Sequence, residues 1–303
     1  MSRPGRPDPR VGAVVITRDR RGELLGVLER LTALPERPPI VVVDNGSRDG
    51  SADAVAASFP DAALLRAGAN LGAVGRNLGA EALDTPYIAF CDDDTWWEPG
   101  SLALAADLLD AHPDAASLTA RILVEPSLRE DPITPELRDS PVPAPAHLPG
   151  PALLSILAGA SVLRASAFRD AGGFHERLWL GGEEELLSLD LAAAGWWMCW
   201  IEEMRVHHAP SRARDSRARR RLGIRNTLWT AWLRRPAGAA LRRTVRVLAS
   251  VPGDAASAAA VAEALAGLPW VLGERRPVPP RVEEGLRLLE APQGRSAARR
   301  YIG

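Results

Sequence analysis

Asp44 closes the apolar run Ile40-Val41-Val42-Val43, and Asp92-Asp93-Asp94 closes Tyr87-Ile88-Ala89-Phe90-Cys91. Short apolar runs bounded by turn residues read as strands buried on both faces, and in open α/β sheets ligands gather beyond the carboxyl ends of such strands. Three adjacent carboxylates repel one another, so a divalent cation that prefers oxygen ligands would stabilise them. A pocket for a metal-bound nucleotide is the chemistry these residues suggest.

The elements that would position them alternate along the first 125 residues. Val11 to Thr17 reads as a strand, Glu23 to Leu34 as a helix, Ile40 to Val43 as the second strand and Ser51 to Ser58 as a short helix. Ala62 to Arg66 follows as an edge strand, Gly75 to Leu83 as a helix stopped by Pro86, and Tyr87 to Cys91 as the fourth strand. Gly100 to Ala111 is a helix and Ala115 to Val124 the fifth strand. Such alternation predicts βαβ units and a mostly parallel sheet. Residues 126–151 hold eight prolines and are expected to form a loop or arm. Order resumes over Leu153 to Leu163, then a helix from Glu184 to Ala194 and a strand from Trp196 to Ile201.

Composition excludes several alternatives. The chain has 303 residues, 46% hydrophobic and 25% charged, with a formal net charge of −1, which gives no global attraction to nucleic acid. None of its 37 basic residues is lysine, which rules out a Walker phosphate loop, a Schiff-base lysine and the kinase strand lysine. Two cysteines, Cys91 and Cys199, argue against a disulfide framework. Without an apolar stretch of about 18 residues or a signal segment, the expected location is cytoplasmic. From Ser211 to Arg246 twelve arginines face a single acid, Asp215. A basic amphipathic helix is predicted there, suited either to packing on the domain or to an anionic membrane surface. An Ala-rich helix, a proline break at Pro277 to Pro280 and a short helix from Val282 to Glu290 complete the chain.

Five ordered segments resemble the family 2 inverting glycosyltransferases, whose fold is GT-A. They are Val14 to Arg20; Val43-Asp44-Asn45-Gly46-Ser47-Arg48-Asp49-Gly50-Ser51; Asn70-Leu71-Gly72 with Arg76-Asn77; Asp92-Asp93-Asp94; and Gly172-Gly173-Phe174 followed by Glu183-Glu184-Glu185. Arg225-Asn226 is similar to a later family element. The resemblance implies a catalytic domain over residues 1–210, with a nucleotide-binding half (11–125) and an acceptor half (150–210), and a basic, mainly helical extension over 211–303. Thr17, Arg18, Asp19, Asp44 and Asn45 are then expected at the nucleotide, where carboxylates accept from a base N–H or ribose hydroxyl. Asn70, Gly72, Arg76 and Asn77 lie in and after a glycine-rich loop whose amides would approach the diphosphate.

By the same resemblance Asp92 and Asp94 form the DxD pair. Asp94 is expected to coordinate Mg2+ or Mn2+ directly, with Asp92 and Asp93 toward the ribose or the metal's waters. One of His207 and His208 would join the metal, with His207 preferred, because neighbours on a strand point to opposite faces. The base for the acceptor hydroxyl is expected among Glu183, Glu184 and Glu185, Glu184 first and Glu183 next, in a cleft walled by Trp179 and Trp196 that raises its proton affinity. The implied reaction is metal-dependent hexosyl or deoxyhexosyl transfer from a UDP- or dTDP-sugar to a glycan or glycolipid hydroxyl in cell-envelope synthesis. Peripheral contact with the inner face of the plasma membrane is part of that expectation. The alternatives are a sugar-nucleotide nucleotidyltransferase and a non-catalytic nucleotide-binding or scaffold protein.

Overall fold

A computed structural model describes residues 8–210 and 216–295. The alternating half forms β1 (Val11–Thr17), α1 (Arg21–Thr32), β2 (Ile40–Asp44), α2 (Ser51–Ser58), β3 (Ala63–Arg66), α3 (Gly75–Glu81), β4 (Tyr87–Asp92), β5 (Thr95–Trp97), α4 (Ser101–Ala111) and β6 (Ala115–Val124). After it come β7 (Arg129–Glu130), α5 (Thr134–Arg138), β8 (Ala152–Leu153), β9 (Ser161–Arg164), α6 (Ala165–Asp170), α7 (Glu183–Ala193) and β10 (Trp197–His208). The sheet runs β3-β2-β1-β4-β9-β6-β10-β5, with β7 on β6 and β8 on β10. β3, β2, β1 and β4 are parallel, as are β6 and β10; β9 joins the two blocks by pairing antiparallel with both β4 and β6.

Apolar residues cover both faces of this sheet, as parallel strands require. Ala13 and Val15 pack in one cluster with Leu24, Leu28 and Leu102, while Val14 between them packs in the other with Phe90, Phe168 and Phe174. Because the side-chain period of a strand is two, this alternation also sets which way the residues at each strand end face.

Three expectations need correction. The proline-rich segment is not simply an arm: it contains β7 and α5, buries Leu137 and places Asp131 in the main cleft. β10 extends to His208, seven residues past the expected end, because β5 pairs with its far half. The basic stretch is two helices, α8 (Ser216–Arg234) and α9 (Ala237–Ser250), broken at Pro236; Arg212, Arg214 and Asp215 lie outside the described residues.

Of the six α8 arginines, Arg220 pairs with Asp254, Arg221 and Arg225 with Glu263, and Arg234 with Asp190; Arg235, just past the helix, pairs with Glu283 and Glu290. Its apolar residues Ile224, Leu228, Trp229 and Leu233 build a third cluster with Leu178 and Leu186. α8 is therefore a packing helix. α10 (Ala255–Ala266), α11 (Leu268–Gly273) and α12 (Pro280–Arg295) complete the chain.

Candidate active site

In the register of the parallel strands Thr17 lies opposite Asp44, and Ile16 opposite Asp92. Three neighbouring strand ends, about 4.8 Å apart, thus bring the two acidic segments to one edge of the sheet. Asp44 is buried and accepts from the Ser47 amide at 3.2 and 3.3 Å, which shapes the turn after β2. Asp93 is buried too; it accepts from Thr17 Oγ1 at 3.0 Å and pairs with Arg20 at 2.9 Å. Arg20 also holds Asp94 Oδ2 at 3.1 Å. Burial pushes Asp93 up to about 6, with Arg20 opposing and its acidic neighbours adding to the rise.

Asp92 pairs with Arg76, which is buried and lies 5.7 Å from the centre of the Phe174 ring. Arg76 therefore sets the Asp92 carboxylate. Asn77 is turned elsewhere: its amide donates to Phe174 O at 2.9 Å and accepts from Phe174 N at 3.0 Å, clipping α3 to the Gly172-Gly173-Phe174 turn. Asn45 Nδ2 donates to Gly72 O at 3.0 Å, and Asn70 Oδ1 accepts from Gly72 N at 3.0 Å. Arg18 and Asp19 are on the rim, ion-paired at 3.4 Å, and Asp19 also accepts from the Arg48 amide at 2.7 Å.

The glycine-rich loop and the loop before α7 are docked on each other. Ala73 N donates to Trp179 O at 2.7 Å, and the Trp179 indole donates to Asn70 O at 3.0 Å. Gly72 has φ +62 and any Cβ there would run into the Trp179 carbonyl, so only glycine fits this crossing. From the other side the buried Asn226 amide reaches the carbonyls of Leu178 at 2.7 Å, Leu180 at 3.1 Å and Gly181. α7 then starts after Gly182, whose φ of +94 suits glycine, and its first turn carries the three glutamates where a helix N-terminus favours negative charge.

Glu184 Oε1 accepts from Ala158 N at 2.6 Å, which aims its carboxylate into a cleft of about 1040 Å3. Burial raises its pKa to about 7, Glu183 beside it adds to the rise, and Arg76 opposes. Glu183 is 4% exposed, has one carboxylate oxygen without a partner, and is also raised by burial against the pull of Arg76. Asp92, Asp131, Glu185 and His208 share the cleft with Glu184. Its apolar wall near Glu184 is Ile156, Leu157 and Ala158; the expected Trp179 and Trp196 do not line it.

The strand register decides between the two histidines. His208 lies opposite Thr95 and lines the cleft, its Nε2 3.9 Å from Asp94 Oδ1. His207 faces away, stacked on Trp96 at 5.3 Å and bonded to Glu125 at 2.8 Å, so the preference for His207 is reversed. The neighbouring His208 also holds Asp131 below the usual carboxylate range. Among the described residues no group of three or more such side chains forms a ready metal cage. Two ligands 3.9 Å apart nevertheless fit an Mg2+ or Mn2+ ion at about 2.1 Å from each, since such ions complete their shell with phosphates and water.

Sequence reasoning missed Arg20 and Asp131. The contact of Arg20 with two carboxylates needs the folded β1–α1 turn, and Asp131 lies in the proline-rich segment, whose spacing carries no signal of a site.

The family model of glycosyl transferase family 2 matches residues 13–171, just over half of the chain. The chain belongs to this family. It is 30% identical over 242 residues, 67% of its length and 77% of the relative's, to N-acetylglucosaminyl-diphospho-decaprenol L-rhamnosyltransferase of Mycobacterium tuberculosis. Its fold matches the mannosyltransferase PcManGT from Pyrobaculum calidifontis in complex with GDP-Man and Mn2+ (TM-score 0.58, 18% identity, 94% of this chain and 86% of that one). It also matches S. aureus TarS 1-349 (TM-score 0.59, 17% identity, 91% and 82%). The fold is GT-A, and this family 2 member is a glycosyltransferase.

Proposed function

We propose that this glycosyltransferase moves a sugar, with inversion, from a nucleotide-diphosphate donor to a hydroxyl of a lipid-diphosphate-linked acceptor in cell-envelope synthesis. The observation that carries the reading is Glu184, a carboxylate of raised proton affinity in the same cleft as Asp92 and His208. The acceptor oxygen attacks the anomeric carbon on the face opposite the leaving diphosphate while its proton passes to Glu184. The new C–O bond forms as the C–O bond to phosphate breaks, so the configuration inverts and no enzyme nucleophile is needed. Glu183 acts through Glu184, keeping its pKa high.

Asp94 and His208 would hold Mg2+ or Mn2+, with Asp92 toward the ribose or the metal's waters. When bound, the ion offsets charge that develops on the departing diphosphate. Thr17, Asp44 and Asn45 form the nucleotide end, and the Gly72 loop the diphosphate wall. Residues 1–210 supply the catalytic machinery and 211–303 close the acceptor side. The relative's rhamnosyltransferase activity makes dTDP-rhamnose the first donor to test, with UDP-sugars next, and its lipid-diphosphate substrate supports the same class of acceptor here and peripheral membrane contact.

Screening nucleotide sugars with Mn2+ or Mg2+ against a short-chain lipid-diphosphate acceptor tests the reading. Product with inverted anomeric configuration by NMR, lost with EDTA and restored by metal, is expected. Retention of configuration, transfer indifferent to EDTA, or pyrophosphate release from a nucleoside triphosphate and a sugar phosphate would overturn it.

A further inference from the structure

α9 differs from every other helix of the extension in what it leaves uncovered. Leu241, Val245 and Leu248 are 56%, 60% and 45% exposed and follow i, i+4, i+7 spacing, one stripe along the helix. α10, α11 and α12 each expose a single leucine, at Leu265, Leu272 and Leu288, which needs no explanation. The orientation of α9 is set from within. Ala239, Ala240 and Val247 are buried, and Thr244 Oγ1 accepts from the Trp232 indole at 3.0 Å.

Charge distinguishes the partner. The helix reads AGAALRRTVRVLAS, with three arginines and no acid. Arg242 is exposed beside the stripe, while Arg246 pairs with Glu290 and, with Arg243, lines the far end of the cleft. An apolar stripe flanked only by cations suits an anionic lipid surface, where leucines enter the acyl boundary and arginines meet headgroup phosphates. None of the described helices is long and apolar enough to cross a membrane.

We infer that α9 is the membrane seat of this enzyme: Leu241, Val245 and Leu248 lie in the headgroup region of an anionic bilayer, and Arg242 binds its phosphates. The cleft opens on the inner side of the same helix. A lipid-anchored acceptor thus reaches Glu184 past the wall that holds the protein on the bilayer, which rests on the lipid-linked reading above.

The test is co-sedimentation of the full chain, without donor or acceptor, with vesicles of phosphatidylcholine alone or mixed with phosphatidylglycerol. Binding to the anionic vesicles, weakened by salt, is expected. L241Q/V245Q/L248Q should weaken it on the order of a hundredfold, and R242Q about fivefold. Both variants should keep the wild-type melting temperature and turn over a water-soluble short-chain acceptor normally. Undiminished vesicle binding by the triple variant, absence of binding by the wild type, or a dimer in light scattering that the triple variant dissolves would overturn the inference. Vesicle binding is read without substrates, so a wrong transfer assignment leaves this result untouched.

Discussion

On the proposed mechanism Glu184 takes the acceptor's proton, and its buried setting suits it to that role by holding a proton more tightly than the same carboxyl would in water. Its substitution by Gln keeps the acceptor for the Ala158 amide but removes the base. Transfer is expected to fall by about 10²–10⁴-fold, with donor affinity retained in isothermal titration. In the wild type the rate should rise with pH through about 7, as Glu184 loses its proton. The same shift predicts stability. The folded pKa of Glu184 is raised above its ordinary 4.5, so its contribution is fully present below that value and lost as pH climbs through about 7. At pH 8 the wild type buries a charge that the Gln variant lacks, so calorimetry should find E184Q more stable there by about 2–4 °C, the gap closing toward pH 5. The two histidines should also separate: His208→Ala is expected to raise the Mn2+ needed for half-maximal transfer about tenfold or more, and His207→Ala to leave it unchanged.

At the scale of elements, the loop over 178–182 links the glycine-rich loop to the glutamates that open α7. Trp179 ties it to Asn70 and Ala73, and Asn226 ties it to α8. Asn226→Ala would strand buried carbonyls and cost about 1–3 kcal/mol in chemical denaturation; because Glu183 and Glu184 follow this loop, kcat should fall more than donor affinity. Apart from β5, the strands and helices of residues 11–124 were legible because buried parallel strands and amphipathic helices have local periods. β5, β8 and β9 were not, since each is short and formed by pairing with strands distant in sequence, and β7 is a two-residue strand folded back on the end of β6. Asn226 was legible only as a resemblance; its work is to reach three carbonyls more than 40 residues away.

Across the whole molecule, the segments before and after residue 210 share structure. Leu178 and Leu186 are buried among Ile224, Leu228 and Trp229, and Asp190 is paired with Arg234. A chain ending at residue 210 would expose that cluster. It is expected to aggregate and to lack activity in size-exclusion chromatography and transfer assays, while the full chain remains monodisperse. Division at residue 210 would then describe the order of the chain, with both parts needed for folding. Charge follows the same scale: the cleft is acidic where the end of β4, the loop after β7 and the start of α7 meet, through Asp92, Asp131 and Glu184, and gains arginines where α9 closes it.

Local chemistry in the sequence was enough to specify the alternating βα half, the acidic strand ends and the acid-rich start of α7. Hydrophobic period, turn glycines and helix-end charge are all short-range signals, readable without knowing what lies opposite. Which side chains share the cleft was decided by the tertiary structure. The pairing of β5 with β10 turned His208, and not His207, into the cleft, because a strand's two faces become distinct only when its partner and register are set. Burial against 156–158 raised the proton affinity of Glu184, and packing of α8 onto α7 consumed arginines that composition alone left available to a membrane. Proton affinity, metal geometry and free surface depend on neighbours brought together across the chain, and no single segment encodes them.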